Sequence, residues 1–164
     1  MDALYVVRHG IAEQRGPNVE DDARELTRKG KDRMKLVAKG LADASVRFDA
    51  ILTSPLARAL QTARILEKYC ASGDSVVETD LLKPDASFDG LIEQLNGLEG
   101  VDSVAIVGHE PDLSSFISYC TADKKASFIV LKKGGVALLE TGGAIRPGKC
   151  LLAWLLEPGQ LIRL

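Results

Sequence analysis

The stretch Leu4-Tyr5-Val6-Val7-Arg8-His9-Gly10 decides how the chain is read. Four apolar residues, two of them β-branched and one aromatic, stop abruptly at an arginine, a histidine and a glycine. An unbroken run of this kind fits a strand buried on both faces of a sheet. In open α/β sheets ligand chemistry collects at the carboxyl ends of such strands, where Arg8 and His9 fall. Gly10, with no Cβ, is expected to leave room for a bound group and to let the chain turn. The other histidine, His109, stands in the matching place after Val104-Ala105-Ile106-Val107-Gly108.

Outward from that strand, helical and extended patterns alternate. Thr27 reads as the N-cap of a helix reaching about Ala44, with Met34, Val37, Ala38, Leu41 and Ala42 on its buried stripe. Gly30 and Gly40 blur its ends. Phe48 to Thr53 predicts a strand, and Ser54-Pro55 then opens a helix with Leu56, Ala59, Leu60, Ala63, Leu66 and Cys70 inward, closed by Ser72-Gly73-Asp74. A short strand at Val76-Val77 precedes an irregular segment, Leu81 to Ala86. Phe88, Leu91, Ile92 and Leu95 mark a helix closing near Gly97 or Gly100. Ser103 to Val107 is another buried strand, and Pro111 opens a helix with Leu113, Phe116, Ile117 and Cys120 inward.

From Ser127 the pattern changes. Phe128 to Leu131 and Val136 to Glu140, around Lys132-Lys133-Gly134-Gly135, predict a β-hairpin. A last strand, Cys150 to Leu156, ends before Pro158-Gly159. Strand–helix units followed by a hairpin predict an α/β fold: one domain over residues 1–164, a three-layer α/β/α sandwich with a mostly parallel mixed sheet. Ile11 to Glu25 reads as a loop over the end of the first strand, with a turn at Gly16-Pro17-Asn18 and a solvated acidic run, Glu20-Asp21-Asp22.

A chain of 164 residues can bury a substantial core, and a formal charge of −2 gives no support for nucleic-acid binding. No apolar run is long enough to span a membrane, and the first strand begins without a secretory n-region. Cys70, Cys120 and Cys150 are odd in number and widely spaced, which fits core thiols in a reducing cytoplasm.

If the strands are parallel neighbours, Arg8, His9, Arg58 and His109 converge above one sheet edge. Two guanidinium forks match phosphate oxygens, and the start of the helix at Ser54-Pro55 adds backbone N–H groups. That is an anion pocket containing imidazole, which can act as a covalent nucleophile as well as a base.

These residues carry a family resemblance. Leu4 to Gly10 resembles the Arg-His-Gly signature of the histidine phosphatase superfamily. Thr53-Ser54-Pro55-Leu56-Ala57-Arg58-Ala59-Leu60-Gln61-Thr62-Ala63 resembles its second motif, and Val107-Gly108-His109-Glu110-Pro111 its third. The small size and Arg24-Glu25-Leu26-Thr27-Arg28-Lys29-Gly30 after a short loop look most like the SixA-type phosphohistidine phosphatase branch. The resemblance implies a phosphoglycerate mutase-like fold and no metal or other cofactor. It implies His9 as the nucleophile, Arg8 and Arg58 as the clamp on the phosphoryl oxygens, and His109 as a hydrogen-bonding partner. Gly10 and Ser54 join the substrate-binding set. The general acid is the departure: the insertion that carries a glutamate elsewhere in the superfamily has no counterpart here. Asp85 and Glu110 are the candidates. The substrate expected is a phosphohistidine in a protein, such as a phosphorelay component, with a small sugar or nucleotide phosphate as the alternative. Lys124, Lys125, Lys132 and Lys133 could form a basic rim for an acidic partner.

Overall fold

A computed structural model describes residues 1–16, 20–71 and 73–164. The expected turns at Gly16-Pro17-Asn18 and Ser72-Gly73-Asp74 lie partly outside them. The sheet is mixed and six-stranded. Its strands are β1 (Ala3–Arg8), β2 (Ala50–Thr53), β3 (Val76–Glu78), β4 (Ser103–Gly108), β5 (Val136–Glu140) and β6 (Leu151–Leu156). The spatial order is β3-β2-β4-β1-β5-β6. The pairs among β1 to β4 are parallel, whereas β5 runs antiparallel to both β1 and β6.

Period-two alternation divides β1 and β4 between two cores. Leu4, Val6, Val104 and Ile106 face α3 (Phe88–Asn96) and α4 (Asp112–Ala122), packing on Leu91, Leu95, Phe116 and Ile117. Tyr5, Val7, Ala105 and Val107 face α1 (Arg28–Asp43) and α2 (Ala57–Cys70), packing on Met34, Val37, Leu41, Ala63 and Leu66. Burial on both faces explains why these strands are apolar throughout. The result is the expected three-layer, phosphoglycerate mutase-like sandwich.

α1 begins where the sequence places it. Thr27 Oγ1 accepts the Gly30 N–H at 3.0 Å. Its two glycines are not end signals. A Cβ at Gly30 would overlap the Ile11 carbonyl oxygen, and one at Gly40 would overlap that of Leu161, in the short α5 (Pro158–Leu161). The helix therefore seats against backbone at two interior points, and α5 follows the last strand at Pro158-Gly159.

Two other expectations change. The helix after β2 starts at Ala57, not at Ser54-Pro55, because Ser54 and Pro55 are used in leaving the strand. The hairpin partner of β5 is β6, not Phe128 to Leu131. Phe128 and Val130 are exposed, at 70% and 76%, and only Leu131 of that run is fully buried. Apolar character alone could not say which strand would pair with β5.

Gly40→Ala should destabilise the protein by about 1–3 kcal/mol in urea denaturation, because overpacking outweighs the helix-propensity gain of ~1 kcal/mol. A stabilised variant would contradict the seat described for α5.

Candidate active site

The site follows from strand register. Arg8 pairs with Gly108 across β1 and β4, so His9 and His109 leave the sheet side by side, with ring centroids 5.1 Å apart. On the other side of β4, Thr53 pairs with Val107, which brings the next residue, Ser54, to His109. Ser54 Oγ lies 2.9 Å from His109 Nε2. Arg58 is in the first turn of α2. Arg8, His9, Arg58 and His109 line one cleft of about 380 Å³, with Arg15, Asp21, Arg24, Asp85, Glu110, Asp112 and Lys133 also on its wall.

His9 is 6% exposed. Its Nδ1 is 2.7 Å from the Gly10 carbonyl oxygen. A carbonyl only accepts, so Nδ1 carries the proton and Nε2 holds the lone pair. Burial, joined by the charges of His109, Arg58 and Arg8, lowers the His9 pKa to about 3 against the pull of that carbonyl. Burial and then Arg58 bring His109 to about 4. Both rings are thus neutral at neutral pH. Among the described residues, His109 Nδ1 and the Nε atoms of Arg8 and Arg58 are buried without a hydrogen-bond partner.

The arginines are held by backbone and carboxylate oxygens. Arg8 Nη1 donates to the Leu131 carbonyl at 2.9 Å. Arg58 donates to Asp21 twice, from Nη1 to the backbone oxygen at 2.6 Å and from Nη2 to Oδ2 at 3.1 Å. Thr62, one helical turn beyond Arg58, donates to the Arg58 carbonyl at 2.8 Å and accepts the Gly10 N–H at 3.1 Å. Gln61 Oε1 accepts the Leu26 N–H at 2.8 Å, which joins α2 to the segment before α1.

Two expected substrate contacts are placed otherwise. Gly10 faces the core: a Cβ there would come 2.7 Å from Met34 Cγ. Its absent side chain makes room for α1, and its carbonyl fixes the His9 tautomer. Ser54 is fully buried and bonds His109; of β2 and α2, Arg58 is the residue on the cleft wall.

Asp85 and Glu110 both reach the cleft. The Glu110 carboxylate accepts the Ser114 N–H at 3.2 Å and its hydroxyl at 2.6 Å, which ties it to the first turn of α4. Asp85 donates its N–H to Asp112 Oδ2 at 3.2 Å. Asp112 had no signal in the sequence beyond its place after Pro111. Burial, with the nearby Asp85 charge adding, raises its pKa above the ordinary carboxylate value.

The acidic run is more than a solvated turn. Asp21 opens a 3-10 turn, Asp21–Ala23, and gathers three arginines. Oδ1 lies 2.9 Å from Arg15 Nε and 3.0 Å from Arg24 Nε, and Oδ2 takes Arg58. The Arg24 contact is close enough for an ion pair but too bent to be a hydrogen bond. The expected basic rim reduces to Lys133 at the cleft. Lys132 pairs with Glu157 at 2.7 Å, and Lys125 lies 3.6 Å from Asp89.

The histidine phosphatase superfamily (branch 1) profile matches residues 4–83. An uncharacterised protein of Picosynechococcus sp. is 38% identical over 86% of each chain. Phosphohistidine phosphatase SixA of Escherichia coli is 28% identical over 85% of this chain and 87% of its own. The chain belongs to the histidine phosphatase superfamily. Its relatives place it with the SixA-type branch. The structure of the protein histidine phosphatase SixA complexed with tungstate superposes with a TM-score of 0.83, covering 97% of this chain and 99% of that one at 23% identity. The match ends before His109, which the β1–β4 register brings to the site. No described helix is long and apolar enough to cross a membrane.

Two histidines make ring titration by NMR a direct check. Both should stay neutral from about pH 8 to about pH 5, whereas an ordinary ring has its midpoint near pH 6.5. The unfolded state binds these protons more readily than the folded one, so stability is complete above about pH 6.5 and declines as pH falls below it. A His9 midpoint near 6.5 would contradict its described environment.

Proposed function

We propose that the protein hydrolyses a phosphoryl group from a protein histidine through a covalent phospho-His9 intermediate. The observation that carries this reading is the neutral His9, with its Nδ1 proton committed to the Gly10 carbonyl and Nε2 left as the attacking atom. Imidazole in that state needs no prior deprotonation.

The Nε2 lone pair bonds to phosphorus as the bond from phosphorus to the leaving nitrogen breaks, and that electron pair stays on the leaving imidazole. Arg8 and Arg58 bind the equatorial oxygens, with their unpartnered Nε groups available. In the tautomer where Ser54 Oγ donates to His109 Nε2, the Nδ1–H of His109 is free to donate to the same phosphoryl group. Positioned charge of this kind accounts for most of the catalysis in phosphoryl transfer. Water then attacks phospho-His9, releasing phosphate and restoring the imidazole.

A proton must reach the leaving atom in the first step and leave the water in the second. Asp112 suits that task better than Asp85 or Glu110. Glu110 takes two hydrogen bonds from Ser114, whereas Asp112 takes one, from the Asp85 N–H, and is half-buried with a raised affinity for its proton. A positioned acid contributes ~10²–10⁴ in rate, most for an alcohol leaving group and less for the weaker P–N bond. The name of the Escherichia coli relative supports a phosphoprotein substrate. A small phosphoester is the second reading, favoured by the number of cations, Arg8, Arg15, Arg24, Arg58 and Lys133, around so small a cleft.

Phosphate release from a histidine-phosphorylated protein tests the proposal. Wild type should release it and His9→Ala should not, while Arg58→Ala should lose about 10²–10³ in kcat. Release unaffected by His9→Ala would remove His9 as nucleophile. Activity confined to sugar or nucleotide phosphates would select the second reading, and no turnover of either would leave a phosphate-binding module.

A further inference from the structure

We infer that Asp21 is a built-in carboxylate that fills the place a second anionic group of a substrate would take, so that it selects against small phosphoesters carrying a carboxylate. The inference rests on the phosphoryl-binding reading of the cleft and names the substrate class that this site accepts. That class is a phosphoryl group on a leaving group without a nearby acid, of which a protein imidazole is one.

The argument starts from the arginines. The Arg58 side chain is 4% exposed and that of Arg24 is 14% exposed. Guanidinium groups withdrawn from water this far need a local anion. Asp21 supplies it with a full set of contacts. Oδ1 faces Arg15 and Arg24, Oδ2 faces Arg58, and the backbone oxygen takes the remaining outward edge of Arg58. Its carboxyl stays ionised, because Arg58, Arg15 and Arg24 outweigh the burial that would raise its pKa.

These contacts divide the cation cluster. The Nε atoms of Arg8 and Arg58 and the Nδ1 of His109 have no hydrogen-bond partner among the described residues and are the groups left for the phosphoryl oxygens. Arg15 and Arg24, whose planar groups would suit a carboxylate a few bonds from phosphorus, already face Asp21 through their Nε edges, and Arg24 Nη1 donates to the Glu13 carbonyl. A carboxylate arriving beside Arg15 and Arg24 would meet the charge of Asp21, with those of Asp85 and Glu110 on the same wall. A leaving imidazole meets no such opposition. Rejection of the wrong ligand by a like charge is a common route to specificity.

Phosphoserine and phosphoethanolamine test this directly, since they differ only in a carboxylate. Their binding by calorimetry and their kcat/KM are compared in wild type, Asp21→Asn and Asp21→Glu, with circular dichroism confirming the fold. Wild type should favour phosphoethanolamine by about tenfold or more. Asp21→Asn should shift the ratio towards phosphoserine by about tenfold, and Asp21→Glu should keep the wild-type ratio. Equal affinity or a preference for phosphoserine in the wild type overturns the inference, even if Asp21→Asn does not fold. An Asp21→Asn ratio equal to that of wild type also overturns it. Binding with the expected preference but without turnover, there and on a histidine-phosphorylated protein, would defeat the phosphatase reading and leave the inference intact.

Discussion

The hydrogen-bonded register of β1 on β4 holds the rest of the site in place. Opposing Arg8 to Gly108 puts both histidines at one height above the sheet, and the neighbouring register of β2 on β4 delivers Ser54 to His109. A slip of one residue would turn the side chains of β1 to the opposite faces, exchanging its two cores and separating the rings. The apolar alternation that anchors β1 and β4 between two helical layers is therefore also what fixes the histidine pair. Stability and geometry have the same source here.

Electrostatics at this edge are arranged to keep imidazole neutral beside guanidinium. Burial and the surrounding positive charges both disfavour protonation of His9 and His109. The same concentration of cations would be costly without an anion in reach, and Asp21 supplies it from the segment before α1. The site is thus a balance of two terms: enough positive charge to hold a phosphoryl group and enough local negative charge to keep the arginines ordered when it is absent. That balance requires the segment before α1, which Gln61 and the Ala12–Leu26 bridge attach to the core.

Several contacts serve orientation and touch no substrate. Gly10 holds a tautomer with its carbonyl, Thr62 joins the first strand to α2, Leu131 supports Arg8, and Ser54 supports His109. They explain why the motif residues around Arg58 and His9 extend beyond the charged groups. Preorganisation at this level is what lets a few side chains act on a phosphoryl group without rearranging first.

The sequence by itself determined the α/β class, the positions of most strands and helices, and the convergence of Arg8, His9, Arg58 and His109 on the cleft. Those features are local: apolar runs, helical spacing, the Thr27 cap, and Arg8, His9 and His109 at strand ends. Tertiary structure decided the rest. The notch at Gly10 faces Met34 and not a ligand, because the direction of its missing Cβ depends on where α1 packs. The partner of β5 is β6, because several apolar runs could have filled that place and only packing chose between them. Asp21 read as part of a solvated acidic run, and Asp112 carried no signal beyond its place after Pro111. Their roles come from arginines and a carboxylate distant in sequence, and a composition of residues carries no record of which charges will meet.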